Sequence, residues 1–189
     1  MRLFYAVKVS DAIKTDIEAA IRAFPLRNPP WRWISTGNMH LTLKFLGEVD
    51  EGVVPDLKAV AANAASRVKP FRVAYGPFGG FPNLARPRVI FFQAMEGARE
   101  LAEIARHLEA GVEPLGIPRE NRPFAAHLTL ARIKEPLPHG TVERLTSVPP
   151  LPPTAFQDVD RFVLMRSHLA REGATYEEIG SFPLASNAS

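Results

Sequence analysis

Two identical tetrapeptides, His40-Leu41-Thr42-Leu43 and His127-Leu128-Thr129-Leu130, stand 87 positions apart in a chain of 189 residues. A given His-x-Thr-Leu arises at a random position with a probability on the order of one in ten thousand, so two copies point to repetition of a structural unit. The surrounding segments, Met39 to Leu46 and Phe124 to Arg132, alternate apolar and polar residues and are rich in strand formers. The chain must therefore place the same strand twice, as in two similar half-structures related by an approximate two-fold. Side chains two apart on a strand share a face, so His40 and Thr42 project together, as do His127 and Thr129, while the leucines turn the other way. Two imidazoles and two hydroxyls can then line one cleft from opposite sides.

The remaining pattern supplies the frame. Leu3, Tyr5, Val7 and Val9 alternate through an opening strand from Arg2 to Val9. Ser10 caps an amphipathic helix carrying Ile13, Ile17, Ala20, Ile21 and Phe24, which Pro25 ends. Pro29, Pro30, Trp31 and Trp33 read as a connection. Further helices are predicted over 54–68 and over 98–110, the latter closed by Gly111, with strands over 71–75, 89–93, 159–167 and 175–182. Residues 76–87 read as a turn region, 148–153 as a polyproline-type connector and 185–189 as a frayed end. Strand pairs with connections too short for a crossover helix favour antiparallel pairing, so the fold class is α+β, with residues 1–189 treated as one unit.

Composition removes several chemistries. Without cysteine there are no disulfides, thiolate nucleophiles or cysteine-ligated zinc. The opening residues lack the apolar run of a signal peptide and no later run spans a bilayer, so a soluble cytoplasmic protein is expected, with no membrane partner. Formal net charge is only +3, but Arg86, Arg88, Arg119, Arg122 and Arg132 suit bidentate contacts with phosphate oxygens and suggest an anionic ligand.

Two imidazoles facing one substrate suit in-line displacement at phosphorus. One removes a proton from water, the other protonates the departing oxygen, and the hydroxyls of Thr42 and Thr129 hold non-bridging oxygens. An imidazole pKa near ~6.5 permits both roles near neutral pH without a metal. The other three histidines, His107, His139 and His168, neither repeat nor pair with a motif and are expected to face solvent. Gly76, Gly79 and Gly80 lack the Gly-Lys-Ser/Thr ending of a phosphate loop, and no third residue completes a zinc-ligand spacing with His40 and His127.

Beyond the tetrapeptides, the opening Arg2-Leu3-Phe4-Tyr5-Ala6, the run Met39 to Gly47, the approach Arg122-Pro123-Phe124 and the stretch from Leu164 to Tyr176 together give the sequence a resemblance, over nearly its whole length, to the two-histidine (2H) phosphoesterases. Within them it resembles the RNA 2′,3′-cyclic phosphodiesterases, also called 2′-5′ RNA ligases. That resemblance implies a bilobal fold of two mostly antiparallel sheets, helices outside and a central cleft. It implies opening of a 2′,3′-cyclic phosphate at an RNA end, or on a related nucleotide, to a 2′-phosphomonoester. His40 would be the proton donor to the leaving 3′ oxygen and His127 the acceptor from water. The reverse reaction would join RNA ends through a 2′-5′ linkage without ATP; no cofactor and no metal are implied, and a monomer is expected. One departure is Ala126, where the family often has proline.

The resemblance also suggests base stacking for Phe45 and phosphate contact for Arg132, each five residues after its motif histidine. Strict alternation would put both on the face opposite the imidazoles, so the transfer requires a twist or bulge at the strand end. Two readings from different classes are compatible with the sequence: the enzyme, and an RNA-end binding module that has lost turnover.

Overall fold

Each amphipathic pattern becomes an element whose apolar side meets a shared core. The computed structural model describes residues 1–24, 29, 31–138, 140–141, 144, 156–170 and 173–186. Strand β1 (Arg2–Lys8) leads into helix α1 (Asp11–Arg22), whose first turn is capped by the Ser10 hydroxyl accepting from the Ile13 N–H. Then come β2 (Arg32–Trp33), β3 (His40–Glu48), helix α2 (Val54–Ala65), β4 (Phe71–Phe81), β5 (Val89–Glu96), helix α3 (Ala98–Val112) and β6 (His127–Arg132). Strands β7 (Phe156–Val159), β8 (Arg161–Ala170) and β9 (Gly173–Pro183) follow. No helix among the described residues is long and apolar enough to cross a membrane.

Every described strand pairing is antiparallel, in the order β7-β4-β5-β6-β3-β1-β8-β9, with β2 added against β6. The two repeat-bearing strands sit at the centre. They meet through one residue pair, Leu41 opposite Leu128. Outward from that pair, β3, β1, β8 and β9 form one half of the sheet and β6, β5, β4 and β7 the other, each half led by its own histidine. The α+β class and the two-half organisation thus follow the repeat, with the halves continuous at one rung.

The motif leucines face the core: Leu41, Leu43, Leu128 and Leu130 are buried with Leu3, Tyr5 and Val7 of β1 and with Leu57 and Ala61 of α2 and Leu101, Ile104 and Leu108 of α3. At roughly 1.5–3 kcal/mol for each large apolar side chain removed from water, this face is what holds the central strands in register. The Tyr5 hydroxyl donates to the Leu57 carbonyl at 2.7 Å, pinning α2 to β1.

Several boundaries differ from expectation. Helix α3 runs through Gly111 to Val112 and is followed by a 3-10 turn, Glu113–Leu115, that ends at Gly116, which has φ +79°. Gly111 is instead a contact point, since a Cβ there would lie 2.5 Å from Val60 Cγ1 on α2; it sets how closely the helices approach. The predicted turn at 76–87 is strand up to Phe81, because Phe78 to Phe81 pair with β5 after a register shift at Gly76 and Pro77. Residues Arg32 and Trp33 form β2 rather than loop, and Ala185 is tied down, its N–H shared between the Ala65 and Val68 carbonyls at the end of α2. The connector at 148–153, His139, Pro25, Pro30 and residues 187–189 lie outside the described residues.

Candidate active site

Both motif strands change phase at the same place. On β3, Tyr5 pairs with Lys44 and Ala6 with Thr42, leaving Leu43 as an extra residue; on β6, Ile90 pairs with Ala131 and Phe91 with Thr129, leaving Leu130 extra. Each bulge comes three residues after its histidine. It turns two consecutive residues inward, Leu43 with Lys44 and Leu130 with Ala131, and so returns Phe45 and Arg132 to the histidine face. Phe45 lies opposite Phe4 of β1 and is 49% exposed. The bulge that the alternation argument required is therefore present twice.

The result is a cleft of roughly 550 Å³ between the halves, lined by His40, Thr42, Phe45, His127, Thr129 and Arg132. All six predicted site residues meet there. Asn38, Arg2 and Tyr176 complete much of the wall, and among the described residues none that lines it is a carboxylate. That size suits a nucleotide-sized ligand and that lining suits an anion.

The two imidazoles are held alike. His40 Nδ1 lies 2.8 Å from the Asn38 carbonyl oxygen, and His127 Nδ1 lies 2.7 Å from that of Ala125, in both cases two residues earlier in the chain. A carbonyl only accepts, so Nδ1 carries the hydrogen and donates it, leaving Nε2 as the nitrogen that exchanges protons. Ala126, where proline is usual in the resembling family, leaves this contact intact.

Aromatic rings fix the imidazole planes. Phe4 and Tyr176 pack against His40 with ring centroids at 4.7 and 5.0 Å, while Phe81 and Phe91 meet His127 at 5.0 and 5.1 Å. Gly79, paired with Phe91, allows this wall, since a Cβ there would fall 2.3 Å from the Phe91 ring. Beneath His40 a separate apolar cluster of Phe4, Ala6, Val163 and Met165, with Tyr176 against it, covers the cleft face of β1 and β8.

Burial pushes the pKa of His40 below its ordinary value; the Asn38 hydrogen bond opposes this, and the positive charges of Arg132 and of a protonated His127 add to it. His127 is likewise lowered, first by burial and further by Arg132, against the bond to Ala125. One guanidinium thus acts on both imidazoles.

Of the five arginines singled out in the sequence, Arg132 lines the cleft, Arg119 pairs with Glu113 at 2.7 Å and Arg88 donates to the Lys134 carbonyl at 3.0 Å. His168 faces solvent beside Glu177, as expected, whereas His107 has only 17% of its side chain exposed and lies near Glu103. No group of three or more metal-ligating side chains occurs among the described residues. Sequence reasoning missed Arg2, Phe4, Phe81, Phe91 and Tyr176. The mixed face of β1, with Arg2 and Phe4 on the side away from Leu3 and Tyr5, was the signal for the first two.

Comparison with known proteins gives concordant matches. The family model for LigT-like phosphoesterases matches residues 7–91 and 94–176. An RNA 2′,3′-cyclic phosphodiesterase of Thermus thermophilus is 38% identical, over 97% of this chain and 90% of the relative, and one of Archaeoglobus fulgidus is 29% identical over 96% and 99%. Among solved structures, TT0787 of Thermus thermophilus superposes with a TM-score of 0.82 at 36% identity, covering 99% of this chain and 100% of that one. E. coli LigT complexed with 3′-AMP superposes with a TM-score of 0.78 at 25% identity, covering 98% of each. Matching the family model on both sides of residues 92–93, with both histidine strands inside the matched segments, the chain belongs to the LigT-like, or 2H, phosphoesterase family.

Proposed function

We propose that this protein opens 2′,3′-cyclic phosphodiester ends of RNA to 2′-phosphomonoesters, with His40 as general acid and His127 as general base and no metal or cofactor. The observation that carries this reading is the matched pair of main-chain-anchored imidazoles presenting Nε2 into one cleft whose described lining residues include no carboxylate. The names of the relatives, RNA 2′,3′-cyclic phosphodiesterases, support the substrate class.

In-line attack puts the nucleophile and the leaving oxygen on opposite sides of phosphorus. The exposed apolar surface of Phe45 and Leu169, with Tyr176, lies in the His40 half and suits a nucleobase, which seats the ribose and its 3′ oxygen beside His40. Water then enters on the His127 side. Its oxygen bonds to phosphorus as the P–O3′ bond breaks; neutral His127 takes the water proton and protonated His40 gives its own to the 3′ oxygen. Thr42 and Thr129 hold the non-bridging oxygens and Arg132 offsets the charge that gathers on them. The two imidazoles end with their protons exchanged and reset through solvent. An anionic substrate raises both depressed pKa values, so binding itself favours the singly protonated pair that the reaction needs. Replacing water by the 5′-hydroxyl of another RNA strand in the same step, its oxygen bonding to phosphorus as the P–O3′ bond breaks, gives 2′-5′ joining. Both imidazoles come from one chain, so a monomer suffices.

The test is hydrolysis of an oligonucleotide ending in a 2′,3′-cyclic phosphate, in chelator, with the product's phosphate position assigned by NMR. His40→Ala and His127→Ala should each lower turnover by at least ~10²-fold while leaving the fold intact. Tight binding without product by the wild-type protein would leave only a binding module.

A further inference from the structure

Strand β2 contributes a cation that the reaction at phosphorus does not use. Arg32 on β2 lies directly opposite Arg132 on β6, and cross-strand partners share a face, so Arg32 stands on the cleft face while Trp33 turns into the core. Two positive side chains placed directly opposite each other are destabilising in a sheet. Here nothing relieves them: among the described residues no carboxylate makes an ion pair with Arg2, Arg32, Arg132 or Lys134. Elsewhere several cations are matched, as in Lys8 with Glu178, Lys44 with Glu109, Arg72 with Asp158 and Arg161 with Asp160, and others such as Arg86 and Arg99 make no ion pair among the described residues; what marks Arg32 and Arg132 is that they stand directly opposite each other.

Lys134 continues the row. Ile133 is buried and its N–H donates to the Arg88 carbonyl, so the pairing with the β5 side persists past Arg132, and alternation returns Lys134 to the face of Arg132. Arg132, which lines the cleft, Arg32 opposite it and Lys134 two residues on thus form a row of cations in the His127 half. A like-charge row of this kind gains stability only when an anion lies along it, and guanidinium groups suit phosphate oxygens.

We propose that Arg32 and Lys134 bind the internucleotide phosphate on the 5′ side of the terminal nucleotide, making the cleft an end-reader of RNA chains and not only of the cyclic nucleotide. This rests on the cyclic-phosphodiesterase reading above. The chemistry of the substrate selects that phosphate: with its 2′ and 3′ oxygens both on the reacting phosphorus, the terminal ribose continues the chain only through its 5′ oxygen.

The experiment compares kcat/KM for a 2′,3′-cyclic mononucleotide with that for di- and tetranucleotides ending in the same cyclic phosphate, for wild type, Arg32→Gln, Arg32→Lys and Arg32→Gln/Lys134→Gln. Wild type should prefer the longer substrates. Arg32→Gln should keep the mononucleotide rate and its pH profile within about twofold, lower the longer substrates about fivefold, and regain most of that loss as Arg32→Lys. The double variant should lower them further and reduce the slope of log KM against log salt by about 0.7 for each phosphate no longer neutralised. Equal losses on all substrates, no loss on any, or a loss confined to joining with an added 5′-hydroxyl strand would overturn the assignment. The wild-type mononucleotide rate reports separately on the parent reading: if it is absent, the reaction itself is wrong.

Discussion

Substituting Glu109 by Gln should destabilise the protein more than removing the buried cation that Glu109 faces. The bulge at Leu43 turns Lys44 inward, where only 2% of its side chain is exposed; its ammonium lies 3.0 Å from Glu109 Oε1 and donates to the Pro118 carbonyl at 2.8 Å. Breaking a buried pair by removing one partner costs about 3–5 kcal/mol. Gln keeps a neutral acceptor, the Pro118 carbonyl remains, and Glu109 is 21% exposed, so about 2–3 kcal/mol is the expected loss for Glu109→Gln. Lys44→Met keeps the aliphatic stem and leaves no buried charge; the orphaned Pro118 carbonyl sets its loss at about 1–2 kcal/mol. Urea unfolding followed by circular dichroism, with an unchanged m value, measures both, and Glu109→Gln should lower Tm by about 4–12 °C. The double variant should be no less stable than Glu109→Gln. A Lys44→Met protein less stable than Glu109→Gln, or a Glu109→Gln protein within ~0.5 kcal/mol of wild type, would refute the view that the unpaired buried charge dominates.

Because burial lowers both imidazoles, the bell-shaped pH profile of kcat/KM should centre below pH ~6.5, and Arg132→Gln, by removing a cation that disfavours both imidazolium forms, should move it to higher pH while raising KM; an acid shift would contradict this. The same depression makes stability complete above pH ~6.5 and diminishing as pH falls toward the folded-state values, because the unfolded chain takes up protons first. His40→Asn should flatten that dependence in urea titrations at several pH values. Phe45→Ala should raise KM about 5- to 30-fold with little change in kcat, the scale of one base stacked on an aromatic ring, and should cost under ~1 kcal/mol of stability because the side chain is half exposed. Gly111→Ala should destabilise by about 1–2 kcal/mol despite alanine's helix preference, with relief by Val60→Ala, since the added methyl meets Val60; a stabilised variant would mean the helices separate freely.

The central strands and their chemistry were legible because repetition and period-two alternation act locally: His40 with Thr42 and His127 with Thr129 share a face whatever surrounds them. What alternation could not supply was the change of phase. Leu43 and Leu130 read as ordinary inward residues, and only pairing with β1 and β5 reveals each as an extra one. Lys44 was hidden for the same reason, since its carboxylate partner, Glu109, comes from a helix far along the chain. Gly111 looked like a stop because glycine after an amphipathic run commonly is one; the neighbouring helix decided otherwise. The aromatic walls required tertiary proximity between Phe81, Phe91 and His127, three segments with no shared local pattern.

The hydrogen bonds that orient the two imidazoles, unlike the aromatic rings packed on them, lie beyond the reach of side-chain substitution. Each Nδ1 hydrogen is received by a peptide oxygen, at Asn38 and at Ala125, and every amino acid supplies that oxygen equally. A mutational scan would register tolerance at Ala125 and conclude that nothing of consequence is there. What those positions hold is the path of the main chain, so sensitivity should surface only with changes that bend it.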